Sequence, residues 1–233
     1  MSALDFGPVV LGGNTFGWTS DKDESFAVLD KFVAAGGCAI DTADVYGAWV
    51  PGNSGGESEA ILGEWLKSRG HRDRLVIATK VFSHANRPGL SAANIHAAVA
   101  DSLDRLQTDH IDLYYAHRDD ENVSQAEYMG AFDELVTAGK VREIGASNFT
   151  IERLTSANTI AKDAGRTPFT VAQDRYNLVE RSLEEVLPIL SGIGVTELPY
   201  SALASGFLTG KYRPGIEVKS ARAGGAAKYL DNP

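Results

Sequence analysis

Residues 75–117 read LVIATKVFSHANRPGLSAANIHAAVADSLDRLQTDHIDLYYAH, and their pattern sets the architecture of the whole chain. The segment begins with an apolar run, residues 75–79, and ends with another, residues 111–116. Between them Ile95, Val99, Leu103 and Leu106 step by four, four and three, the spacing of one helical face, and Ser91 is placed to cap its start. Both apolar runs are nearly continuous rather than alternating. Strands of that kind, separated by a helix, belong to a parallel sheet covered by helices. Each run is closed by a polar residue able to carry a charge or a proton, Lys80 and His117.

The same unit recurs on both sides. Further apolar runs lie at residues 9–11, 38–40, 141–146, 169–173 and 195–198. Helical faces fall between them: Phe26, Leu29, Phe32 and Val33 before Gly36 and Gly37; Ile61, Trp65 and Leu66 before Gly70; and Tyr128, Phe132 and Leu135 before Gly139. Thr150 is placed to cap a helix running to about Gly165, and Ser182 with Glu185 has capping-box spacing ahead of Val186 and Leu187. An open doubly wound sheet more often carries a Gly-rich phosphate turn after its first strand; LGGNTFG, residues 11–17, does not have that spacing. The expected fold is therefore α/β, a (β/α)8 TIM-type barrel lacking the eighth βα unit in this chain. Residues 1–213 form one barrel domain in this reading. Residues 214–233, without apolar periodicity, form a flexible loop or tail.

Composition narrows the function. With 233 residues and 43% hydrophobic content the chain buries a core as one domain, or at most two. A net charge of −9 without a basic stripe argues against a nucleic-acid partner. The single cysteine, Cys38, excludes an intrachain disulfide framework and fits a reducing compartment. No run approaches the roughly 20 apolar residues of a membrane span. The start, MSALDFGPVV, lacks the charged and then apolar regions of a signal peptide. A soluble, cytoplasmic chain is expected, its oligomeric state open.

In a barrel the C-terminal strand ends converge on one mouth, where chemistry is done. Asp41, Lys80 and His117 each follow or close an apolar run, and Tyr46 lies in the loop after Asp41. Taken singly, Asp41 reads as a loop brace, Tyr46 as loop packing, Lys80 as a solvated charge and His117 as a structural histidine. Together they are equipment for moving a proton. A free phenol has a pKa near ~10, and an adjacent ammonium is expected to lower it toward a useful range. An aspartate keeps the amine charged, and an imidazole orients a carbonyl oxygen. Such a set polarises and protonates a ketone or aldehyde but supplies no electrons, so it needs a bound hydride donor. Trp18, Trp49 and Phe82 each follow a strand and are candidates for an apolar substrate wall.

DTADVYG (41–47) with Gly56, Ser58 and Glu59, VIATK (76–80), LDRLQTDHIDLYYAH (103–117), REIGASNF (142–149), QDRYNLVER (173–181) and PYSALASGFLTGKY (199–212) together resemble the aldo-keto reductases, in collinear order. The resemblance implies an eight-stranded barrel that reduces aldehydes or ketones with NADP(H), without a Rossmann fold or metal. By it, Tyr46 is the general acid/base, Lys80 its partner, Asp41 the lysine's ion partner and His117 the carbonyl-orienting group. Ser147, Asn148 and Gln173 correspond to residues that hold the nicotinamide carboxamide, and Tyr200 to the aromatic stacked on its ring. Ser201, Leu203, Ser205 and Gly206, with Lys211 less directly, fall where the family approaches the cofactor phosphates. Two departures stand out. The residues that grip the 2′-phosphate follow the family's eighth strand, and PILSGIG (188–194) is shorter than the usual helix there. A non-catalytic, cofactor-binding regulator of the same family is the alternative. A further one makes Lys80 a Schiff-base nucleophile, as in barrel aldolases.

Overall fold

Seven parallel strands lie side by side in chain order in a computed structural model that describes residues 1–213, 215–216 and 218–230. They are β1 (Val10–Gly12), β2 (Ala39–Asp41), β3 (Val76–Val81), β4 (Ile111–Ala116), β5 (Val141–Ser147), β6 (Val171–Gln173) and β7 (Thr196–Glu197). Helices α1 (Lys22–Ala34), α2 (Glu57–Arg69), α3 (Ala92–Leu106), α4 (Gln125–Thr137), α5 (Ile151–Asp163) and α6 (Leu187–Gly192) form the crossovers. Among the described residues β7 does not pair with β1, so the sheet is a curled, incompletely closed wall of the (β/α) barrel type. The curl is direct: Gln173, at the end of β6, reaches Asp41, at the end of β2, at 3.3 Å.

The register explains which side chains meet. Parallel pairing puts Ala39 beside Val76, Ala78 beside Leu113, Lys80 beside Tyr115 and Gly145 beside Val171. Ala39, Ala78, Leu113, Tyr115 and Val171 form an inner cluster with Phe6, which lies on the segment before β1. The alternate row, including Ile40, Ile77, Tyr114, Ile144 and Ala172, packs outward against the helices in a larger cluster. Successive strand residues point to opposite faces, so one sequence run fills both layers. That is why the runs read as continuous rather than alternating.

Caps set where the helices begin. Ser91 accepts from the Asn94 N–H and Thr150 from the Arg153 N–H, as their positions predict. Asp21 and Glu24 form a full capping box on α1. The box predicted at Ser182 is absent. Ser182–Glu185 is a short 3-10 turn without a side-chain cap; within it Glu184, which is not part of the expected box, accepts from Tyr176 and Arg181. The helix proper starts later, at α6, with proline in its first turn and only six residues.

The stretch after Arg213 also differs from the loop or tail expected there. Residues 214, 217 and 231–233 of it lie outside the described residues. Within the rest, Ala223–Ala227 forms a short helix, α7. Tyr229 is buried beyond it, its ring 5.6 Å from Phe207 and its hydroxyl donating to Glu180 at 2.6 Å. Five residues are too few to display helical periodicity, and one tyrosine rather than an apolar face anchors them. No described helix is long and apolar enough to cross a membrane.

The tightest helix contact fixes a residue type. A Cβ on Gly63 in α2 would lie 2.1 Å from the Arg105 carbonyl oxygen in α3. Gly63→Ala is expected to cost about 1–3 kcal/mol by overpacking. Urea unfolding would show this as a lower midpoint at constant slope; a midpoint equal to wild type would contradict the close approach.

Candidate active site

Lys80 points inward from β3 and is wholly buried, 0% exposed. An ammonium has three hydrogens to donate, and here each finds an acceptor. Asp41 Oδ2 lies at 2.6 Å, the Thr42 carbonyl at 2.7 Å and Tyr46 Oη at 3.2 Å. The carboxylate is held in turn by Gln173 Nε2 on its other oxygen. Burial opposes the charge on Lys80, but Asp41 and Tyr46 outweigh it, so its pKa is raised and the amine stays an ammonium.

The loop carrying Tyr46 is braced from behind. The Tyr46 N–H closes a turn onto Ala43, and the following Gly47 has φ 100°. Few side chains adopt that φ, so the turn calls for glycine. Thr42 Oγ1 donates to Ser58 Oγ, which donates to the Gly13 carbonyl, both at 2.8 Å. Glu59 is buried and takes Thr79 Oγ1 at 2.5 Å and Arg105 Nε at 2.6 Å. Ser58 and Glu59 are thus struts beneath the loop and β3.

His117 follows β4, its N–H bonded to Val81 and its ring 6.1 Å from that of Tyr46 at 73°. Burial, then the Lys80 and Arg118 charges, push its pKa down to about 3, so the imidazole is neutral. Its Nδ1 is buried without a hydrogen-bond partner among the described residues. Tyr46 corrects a simple expectation. Lys80 does pull the phenol down, but burial pushes it up more strongly, and the pKa ends above the ordinary value. In this state Tyr46 is a protonated donor.

Asp41, Tyr46 and His117 line one side of a cleft of about 1040 Å³; Lys80 lies behind Tyr46 rather than in the lining. Ser147, Asn148, Gln173 and Tyr200 line it next to them, followed by Ser201, Leu203, Ser205 and Gly206. Ser147 Oγ donates to the Gln173 carbonyl at 2.7 Å, and Asn148 Nδ2 to the His117 carbonyl at 3.1 Å. Of the aromatic residues expected at the mouth, only Trp49 lines the cleft. Trp18 stands edge-on to Trp49 at 5.6 Å, and Phe82 packs against the outer core. Lys211 turns its ammonium over the Tyr212 ring at 5.2 Å and is not part of the lining.

Residues the sequence did not single out also line the cleft, among them Asn14, Arg118, Arg175, Arg181 and Arg222. Arg175 and Arg181 belong to QDRYNLVER, whose arginines carried a signal that went unread. Arg222 had none: it reaches Asn14 Oδ1 at 3.3 Å across 208 positions of sequence. Polar side chains, the plane of Tyr200 and several guanidinium groups fit a flat, amide-bearing ring joined to an anionic tail. Beside that space stand a protonated phenol backed by a buried ammonium and a neutral imidazole.

A model of the aldo/keto reductase family matches residues 8–227. Among curated proteins, an aldo-keto reductase, YhdN, of Bacillus subtilis is 39% identical over 90% of this chain and 61% of its own length. An aryl-alcohol dehydrogenase (NADP+) of Phanerodontia chrysosporium is 32% identical over 98% of this chain and 63% of its own. Norsolorinic acid reductase B of Aspergillus parasiticus is 36% identical over 88% and 56% respectively. The chain thus spans little more than half, and less than two thirds, of the length of these relatives.

The neutral His117 gives stability a definite pH dependence. Unfolded, it protonates near 6.5; folded, only near 3, so stability is lost as pH falls through that window. Asp44 and Glu197, which burial raises to about 7, act in the opposite direction and are common to wild type and variant. A His117→Asn variant should therefore lose less stability than wild type between neutrality and about pH 4. Equal losses in urea titrations at the two pH values would contradict a buried neutral imidazole.

Proposed function

The chain belongs to the aldo/keto reductase family, and we propose that it is an oxidoreductase that reduces small aldehydes or ketones to alcohols with NADP(H), Tyr46 donating the proton. One observation carries this reading: the buried Lys80 ammonium shares its hydrogens between Asp41 and the Tyr46 hydroxyl at the floor of the cleft.

A bound nicotinamide would supply the hydride. Ser147, Asn148 and Gln173 would hold its carboxamide, and Tyr200 would support its ring. His117, neutral, donates an N–H to the carbonyl oxygen of the substrate and orients it. As negative charge develops on that oxygen, Tyr46 gives up its proton. The phenolate left behind is stabilised by Lys80 at 3.2 Å, in a site where low polarity strengthens the attraction. Burial and the ammonium thus divide the work. Burial keeps the phenol protonated until the reaction needs it, and the ammonium limits the cost of losing the proton. Asp41 keeps Lys80 charged, which favours this role over a Schiff-base one.

A relative named for aryl alcohols, and Trp49 on the cleft wall, make aromatic aldehydes the first substrates to try. With such a panel and NADPH, Tyr46→Phe is expected to lower kcat by at least about 100-fold. Dinucleotide binding, followed by fluorescence titration, is expected to stay within about twofold, since the lost hydroxyl serves the proton transfer rather than binding. Undiminished reduction by Tyr46→Phe would refute the assignment. Tight dinucleotide binding by wild type with no turnover across the panel would favour a non-catalytic regulator.

A further inference from the structure

Three strand ends are joined by a residue the reaction does not use. Asp174 follows β6 and is not part of the cleft lining. Its N–H donates to Glu197 Oε1 of β7 at 2.8 Å, and its carbonyl accepts the Tyr200 N–H at 2.9 Å. Its Oδ1 accepts the N–H of Asn148, just after β5, at 3.0 Å. Asn148 and Tyr200 are themselves linked, the tyrosine hydroxyl donating to Asn148 Oδ1 at 2.8 Å. Asp174, Asn148 and Tyr200 therefore close a ring of hydrogen bonds across the ends of β5, β6 and β7.

The ring holds an unusual backbone. Asn148 has φ 56°, in the left-handed region that few side chains adopt, though asparagine tolerates it better than most. In that turn its amide reaches the His117 carbonyl and Ser147 Oγ, at 3.1 and 2.9 Å. Tyr200 is fixed from two sides, by its hydroxyl on Asn148 and by the Arg175 guanidinium 5.4 Å over its ring.

We propose that Asp174 is a positioning residue: its carboxyl pins the left-handed turn at Asn148, and through Asn148 sets the angle at which Tyr200 meets the nicotinamide ring. This rests on the reading of Asn148 and Tyr200 as cofactor contacts. The link requires an acceptor on Asp174, not a charge. Burial in fact pushes its carboxyl above the ordinary carboxylate range, against the pull of the Asn148 N–H. An asparagine amide oxygen would serve as well, and that sets the test.

In the full 233-residue chain, Asp174→Ala is expected to weaken NADPH binding about three- to tenfold, the loss of one hydrogen bond, and to lower kcat on an aromatic aldehyde. Asp174→Asn should stay within about twofold of wild type in both. The melting temperature of Asp174→Ala should fall by no more than about 2–4 °C, the cost of one rim hydrogen bond. Wild-type binding and turnover in Asp174→Ala would overturn the proposal. So would an Asp174→Asn variant as impaired as the alanine. Should Asp174→Ala fail to fold, Tyr200→Phe cuts the same ring at its other link. It should weaken binding in the same direction, and no change would overturn the proposal. A wild-type chain that binds no dinucleotide would overturn the proposed function itself; binding by wild type with no loss in the variants would overturn only the role of Asp174.

Discussion

A single buried cation organises this site. Moving an ammonium out of water costs several kcal/mol even after relaxation, and the barrel interior accepts Lys80 only because acceptors meet all three of its hydrogens. Those acceptors come from one short stretch of chain. Asp41 ends β2, Thr42 follows it, and Tyr46 returns through a turn that Gly47 permits. The demand of Lys80 for partners therefore fixes the path of the loop that carries the phenol. Remove the cation, and Asp41 becomes an uncompensated buried charge while Tyr46 loses the group that orients it.

Around that pair, the parallel register does the assembling. Strand ends far apart in sequence arrive at one rim because each strand is followed by a helix that returns the chain to the same edge. The inner row stacks small apolar residues and Tyr115 beneath Lys80, whose ammonium lies 5.8 Å from that ring. This places a largely apolar floor under the polar group. The other half of the rim, from β5 to β7, is polar and cross-linked, and it opens into a cleft lined by arginines in a chain of net charge −9. Guanidinium groups on a cleft wall are suited to an anionic ligand, although Arg175 and Arg181 already face Glu180 and Glu184.

Much of this was legible in the sequence because it follows from local pattern. Continuous apolar runs and helical spacing between them gave the parallel sheet, and Ser91 and Thr150 gave helix starts. The polar residues that close the runs or follow one in the next loop placed Asp41, Tyr46, Lys80 and His117 together. What escaped depends on distance or on competition. Arg222 enters the cleft only because the chain folds back across it. Trp18 and Phe82 were placed by position after a strand, which says nothing about which way a ring turns. The Ser182 box is absent because the chain there makes a short 3-10 turn and the helix starts only at Leu187. The direction of the Tyr46 shift is a balance of burial against a neighbouring charge, which depends on how deeply the folded chain buries the phenol.

That balance is open to direct measurement. With fluorotyrosine incorporated and the Tyr46 resonance assigned by its absence in Tyr46→Phe, the phenol can be titrated in wild type and in a Lys80→Met, Asp41→Asn chain that removes both charges together. If the ammonium pulls the phenol down against burial, Tyr46 titrates at higher pH in the double variant than in wild type. Asp41 by itself pushes the phenol up, so an unchanged or lower titration midpoint would mean that the pull of Lys80 does not exceed that push, and the proposed chemistry of the site would fall with it.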